Sequence, residues 1–156
     1  MTDAPTPQRH VAASYERPRC IVVGVDGSVD AAHAMAWAAT LASAVDAEVV
    51  AVHAVGLLSV IDGQVRPSDQ VRDALARQVT EWATPLIDSG ARHRIVLEDG
   101  PPGLVLLRVA EREHAGLIVS GTRGLGSADG ALLGSTSHHL LRFSRVPVVV
   151  VPHLDI

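Results

Sequence analysis

Five short runs of β-branched residues narrow the possible folds more than any other feature of the chain. They are Cys20–Val25, Val49–Val55, Arg94–Leu97, Leu117–Ser120 and Pro147–Val151. Each is nearly continuous in apolar residues and lacks alternation, the pattern of strands covered on both faces. Between them lie stretches with helical character. Asp30 to Val45 is Ala-rich, and Ser68 to Asp88 carries Val71, Leu75, Val79 and Trp82 at helical spacing. Gly103 to His114 and Ser135 to Ser144 complete the set. Pro85 is expected to bend or interrupt the second helix. Residues 56–67 read as one long loop. Strands alternating with helices imply a parallel sheet, right-handed crossovers and helices on both faces.

Length and composition fit that reading. The chain has 156 residues, 47% of them hydrophobic and only 3% aromatic. Residues 1–17, with Pro5 and Pro7, read as a flexible N-terminal tail before one domain spanning residues 18–156. That tail resembles neither a signal peptide nor a transit helix, and no apolar run approaches a membrane span, so the expected location is cytoplasmic. The formal net charge of −4 argues against a general nucleic-acid binder. All 13 cationic residues are arginine, which excludes any mechanism needing a lysine. Cys20 is the only cysteine, and inside an apolar run it reads as a small buried hydrophobe.

The last run, Pro147–Val151, is strongly apolar. Pro147 cannot donate to a ladder, so it belongs at a strand start or on a sheet edge. A flat apolar edge invites pairing, and the expectation is a homodimer through this strand, unless the tail from Pro152 to Ile156 covers it.

Two segments carry chemistry. Gly24-Val25-Asp26-Gly27-Ser28 follows the first run, where ligands of open α/β sheets bind; Ser28 or Asp30 is the expected cap of the first helix. The more specific segment begins Gly121-Thr122-Arg123-Gly124 and ends Gly134-Ser135-Thr136-Ser137, with five glycines in fourteen residues between Gly121 and Gly134. Glycines let the backbone approach a ligand and turn N–H groups toward an anion. Gly134, Ser135 and Thr136 then open a helix whose free N–H groups favour phosphate. A Walker A loop is excluded by the missing lysine. The dinucleotide pattern fails at Asp129, which stands where its third glycine belongs. With strands one and four as neighbours, in the order 3-2-1-4-5, Asp26 and the glycine-rich loop face one another across one cleft.

These residues resemble the universal stress protein family. Ile21 to Ser28 resembles its first strand and turn, Gly121-x2-Gly124-x9-Gly134-Ser135 its nucleotide-binding pattern, and Pro147–Val151 its dimer-forming strand. The resemblance covers Arg19 to Pro152. It implies a Rossmann-like fold, ATP as ligand and a role in stress response; Mg²⁺ is the ion that would accompany the phosphates. Carried over, Gly24, Val25, Asp26 and Gly27 form the adenosine-side turn and Ala54 sits against the adenine. Ser120, Gly121, Arg123 and Gly124 approach ribose and phosphates. Gly134, Ser135, Thr136 and Ser137 hold the terminal phosphates. Ser120 replaces an aliphatic residue or Met of the family, and His33 replaces a hydroxyl residue.

No His pair shows metal-ligand spacing with a nearby acid, so no transition-metal site is expected. Catalytic residues are not assigned: without lysine or an arginine finger, phosphoryl transfer lacks its usual parts. Asp129 is the one conceivable water positioner. A nucleotide-dependent binding module is therefore preferred. A slow ATPase and a nucleotide-free dimeric interaction protein stand as alternatives.

Overall fold

The computed structural model describes residues 16–125 and 132–153. Five parallel strands form one sheet: β1 (Cys20–Gly24), β2 (Glu48–Val55), β5 (His93–Asp99), β6 (Leu117–Gly121) and β7 (Val148–Val151), in the order β5-β2-β1-β6-β7. This is the expected 3-2-1-4-5 arrangement of an α/β, Rossmann-like fold. The two central strands are buried almost throughout, because helices cover both faces. Alternate residues divide between two cores. Ile21, Val23, Val49 and Ala51 pack under α1 (Val29–Val45), α2 (Arg72–Trp82) and α3 (Thr84–Ser89). Val22, Val50, Val52 and Ile118 pack under α4 (Pro102–Arg112) and α5 (Ser135–Phe143). The small Ala34, Ala38 and Ala42 of α1, each 0–1% exposed, let that helix lie close on the strands.

Two elements differ from the sequence reading. Residues 56–67 are not a loop: Leu58–Ile61 (β3) and Gln64–Pro67 (β4) pair antiparallel as a separate hairpin. Its two-residue turn, Asp62-Gly63, holds positive φ at both positions, 51° and 74°, which suits the twist of the flanking strands. The expected helix from Ser68 to Asp88 is three pieces. Ser68–Gln70 is a 3₁₀ turn, and α2 and α3 meet at Ala83. Pro85 lies in the first turn of α3, where its missing N–H costs nothing, so the expected interruption falls at Ala83, two residues before it.

Pro147 stands just before β7, and its carbonyl accepts the Ile118 N–H at 3.0 Å. The opposite edge differs in character. Arg94 on β5 pairs with Glu48 and Glu113, and Glu98 on β5 with Arg108 and Arg112. These partners hold the Glu98 carboxyl (chiefly through Arg112) and the Glu113 carboxyl (chiefly through Arg94) below the usual carboxylate range. Burial pushes the Cys20 thiol up to about 11, so it is no nucleophile at neutral pH. No helix among the described residues is long and apolar enough to cross a membrane.

Candidate functional site

The strand order reverses between β1 and β6: the chain leaves β1 toward α1 on one face and leaves β6 toward α5 on the other. A cleft of about 280 Å³ opens there, at the carboxyl ends of β2, β1 and β6. It is lined by all the residues singled out from the sequence except Gly27: Gly24, Val25, Asp26, Ala54, Ser120, Gly121, Arg123, Gly124, Gly134, Ser135, Thr136 and Ser137. Gly27 instead turns with φ 83° beneath the Trp82 indole, 2.5 Å from where its Cβ would stand. Its contribution is to shape the turn.

On the β2 side the wall is apolar. Val52, Ala54, Pro102 and Leu106 form a slot, and Gly24 is small where the Leu106 side chain crosses it. Pro102 and Leu106 were not found from the sequence. They open α4, and only the crossover from β5 to β6 brings them beside β1. His53 also lines the cleft. Its Nδ1 lies 2.7 Å from the Val25 carbonyl oxygen; a carbonyl only accepts, so Nδ1 carries the proton. The ring meets Trp82 edge-on at 5.4 Å, which fixes the β1–α1 turn from below.

Asp26 organises that turn and ties it to the glycine-rich loop. Its Oδ1 accepts the Ser28 N–H at 2.9 Å and the Ser28 hydroxyl at 2.6 Å. Its Oδ2 accepts the Leu125 N–H at 3.1 Å. Ser28 in turn caps α1, accepting the Ala31 N–H at 3.1 Å. Asp30 is therefore not the cap. It is a buried carboxylate, 7% exposed, whose Oδ2 accepts the Arg123 N–H at 2.9 Å.

These two acids explain why the loop needs glycine. A Cβ on Gly121 would stand 2.7 Å from Asp30 backbone carbon, and one on Gly124 2.5 Å from Asp26 Oδ2. Both glycines admit the protein's own groups behind the loop, a role separate from any approach to a ligand.

On the β6 side the cleft reaches the N-terminus of α5. Gly134 is the N-cap and has no side chain to bond the first N–H groups, so those of Ser135, Thr136 and Ser137 lack the cap that α1 has. The Ser137 hydroxyl is committed elsewhere: it donates to the Gly121 carbonyl at 2.7 Å and lies 2.6 Å from Ser120 Oγ. At 2% exposure the hydroxyl braces the start of the loop. Ser135 is exposed and Thr136 partly so. Residues 126–131, including Asp129, lie outside the described residues. Among the described residues, no three His, Cys, Asp or Glu side chains come together as a metal site.

Known proteins resemble this arrangement. A universal stress protein of Mycolicibacterium smegmatis is 31% identical over 139 residues, covering 84% of this chain and 47% of its own length. The chain thus spans about half of that relative. A universal stress protein of Thermus aquaticus is 32% identical over 134 residues, covering 85% of this chain and 98% of its own. A solved universal stress protein in complex with cAMP is 27% identical, covers 88% of this chain and 98% of its own, and superposes with a TM-score of 0.65. The profile of the universal stress protein family matches residues 18–152, and the chain belongs to that family.

Proposed function

We propose that this protein is a cytoplasmic, nucleotide-dependent binding module of the stress response that holds an adenine nucleotide, ATP, in the cleft between β2, β1 and β6. One observation carries the reading: an apolar slot and an uncapped helix N-terminus open into the same cleft, on either side of a carboxylate. The slot of Val52, Ala54, Pro102 and Leu106 suits a purine ring. The Asp26 carboxylate in the cleft wall suits a ribose hydroxyl. The N–H groups at the start of α5, with Arg123, suit phosphates. The relative solved with cAMP supports the adenine class. Mg²⁺ would arrive with the phosphates and keep several waters, touching Asp26 or the Ser135 and Thr136 hydroxyls. The site's positioned donors make occupancy, not turnover, the expected output. A second copy pairs along β7, and the nucleotide acts by biasing the loop that borders that strand.

The test is calorimetric titration of ATP with Mg²⁺ into the parent and into Gly134→Glu, which puts a carboxylate at the helix N-terminus. Binding is expected for the parent and loss of binding for the variant, with unchanged circular dichroism. If the parent does not bind, and its denaturation releases no co-purified nucleotide, the reading fails and a nucleotide-free dimeric interaction protein takes its place.

A further inference from the structure

The β3–β4 hairpin is inside out. In an antiparallel pair, directly opposed residues lie on one face, and successive residues alternate between faces. The register Leu58↔Pro67, Ser59↔Arg66, Val60↔Val65 and Ile61↔Gln64 therefore sorts the hairpin into two faces. One carries Ser59, Ile61, Gln64 and Arg66, and it is turned to the body of the protein. Ile61 packs against the core under α1, and Ser59 Oγ lies 2.7 Å from Oγ of the buried Ser68. The other face is Leu58, Val60, Val65 and Pro67, all exposed, with Leu57 beside them at 92% exposure. A sheet with one wet face normally shows polar residues to water and apolar residues to the core. Here the order is reversed, on a two-stranded hairpin too small to build a core of its own. Single exposed apolar residues are ordinary. A contiguous apolar patch of several hundred Å² marks a surface that is covered in use.

We propose that this face is an interface between copies of the chain: the outer face of one hairpin stacks on the same face of a second copy across a two-fold axis. The face has no charge and no side-chain hydrogen-bonding group, so nothing on it selects an acidic, basic or polar partner. A contact between copies needs only a surface that fits itself. The face is short and two strands wide, and at the spacing of packed sheets, about 10 Å, Val60 and Val65 of the two copies fill the gap between them. Its area, doubled, approaches the roughly 1,000 Å² that a specific interface buries. A lipid surface is disfavoured by the hairpin tip, where the exposed Asp62 would carry a carboxylate toward hydrocarbon. Edge-to-edge pairing of hairpins would leave the apolar face in water. The hairpin lies between β2 and α2, so the contact is separate from pairing along β7 and does not depend on what the cleft holds. At that size it is a weak contact, short-lived in dilute protein.

The experiment traps the contact covalently. Val60→Cys and Val65→Cys, separately and mixed in equal amounts, are treated with oxidised glutathione, which takes up the two electrons as each disulfide forms between copies. Val29→Cys is the control, because Val29 on α1 is 58% exposed, as is Val60. Cys20 is buried and stays out of the reaction. Thiols held in a contact meet at a far higher effective concentration than colliding ones, so the covalent dimer is expected at least about tenfold faster from the hairpin positions than from the control. Adding Val65→Asp to Val60→Cys is expected to bring the rate down to the control, with unchanged circular dichroism. Val65→Thr, which keeps a strand-forming residue, is expected to lower it in part. Rates equal to the control at both hairpin positions and in the mixture overturn the proposal. So does an acceleration that survives Val65→Asp, because another surface then makes the contact. A parent that floats with vesicles of phosphatidylglycerol and phosphatidylcholine, while the hairpin variants crosslink no faster than the control, overturns it in favour of a lipid surface.

Discussion

A methyl group on Gly124 would stand 2.5 Å from Asp26 Oδ2, the oxygen that accepts the Leu125 N–H. Gly124→Ala must therefore push the loop off the turn. The expected result is at least a tenfold loss of ATP affinity together with a stability loss of about 1–3 kcal/mol, the usual range for overpacking. Titration and urea unfolding of the same preparation separate the two effects; unchanged values in both would show that the loop does not rest on Asp26. At this scale the sequence was legible where function is tied to spacing. The intervals between Gly121, Gly124 and Gly134, and the place of Asp26 after a strand, point to the cleft before any fold is known. Side chains whose roles depend on distant partners were not legible. Asp30 resembles a helix cap because it lies near a helix start, and only the fold reveals that Ser28 caps and Asp30 holds Arg123, 93 positions away. The Ser137 hydroxyl is claimed by the Gly121 carbonyl, a partner that spacing alone does not reveal.

Elements were legible to the extent that burial wrote their pattern. The strands of the main sheet are covered on both faces, so their apolar runs stand out. The hairpin of β3 and β4 is mostly exposed, with Leu58 at 64% and Val65 at 64%, and its strands have only four residues each. No core forced a periodic pattern on it, and its one strong signal was the Asp62-Gly63 pair. The break between α2 and α3 was legible through Pro85, although helical spacing continues through Ala83. At the β5 edge, the carboxyls of Glu98 and Glu113 are lowered by their arginine partners. A lowered carboxyl contributes stability above its unfolded value, about 4.3 for Glu, and loses it as pH falls through the folded value. Glu113→Gln is thus expected to cost about 0.5–1 kcal/mol at neutral pH, a modest figure because Arg94 is partly solvated. The cost should shrink in acid, as pH falls through the folded value and the parent carboxyl is protonated as well. Urea unfolding at neutral and acid pH checks it; an equal cost at both would mean packing, not charge.

For the whole molecule, the two sheet edges are unlike. One is laced with Arg94, Glu98 and their partners, which discourages pairing; the other is four valines in a row. The Pro147 and Val151 carbonyls both accept from the β6 side, so by alternation the N–H groups of Val148 and Val150 point outward. Val150→Pro removes an outward donor and leaves the β6 ladder intact. It is expected to convert a parent dimer into a folded monomer in sedimentation velocity. A parent that is already monomeric at high concentration ends the dimer proposal. The strand order was legible because setting strands one and four side by side brings Asp26 and the glycine-rich loop to the same cleft.

Trp82 lies edge-on to His53 and over Gly27, against both supports of the turn that bears Asp26. The other of the chain's two tryptophans, Trp37, is 39% exposed on α1. The consequence is optical. A shift of that turn changes the surroundings of one indole and leaves the other alone, so the emission of Trp37→Phe, which keeps only Trp82, follows the turn without an added dye.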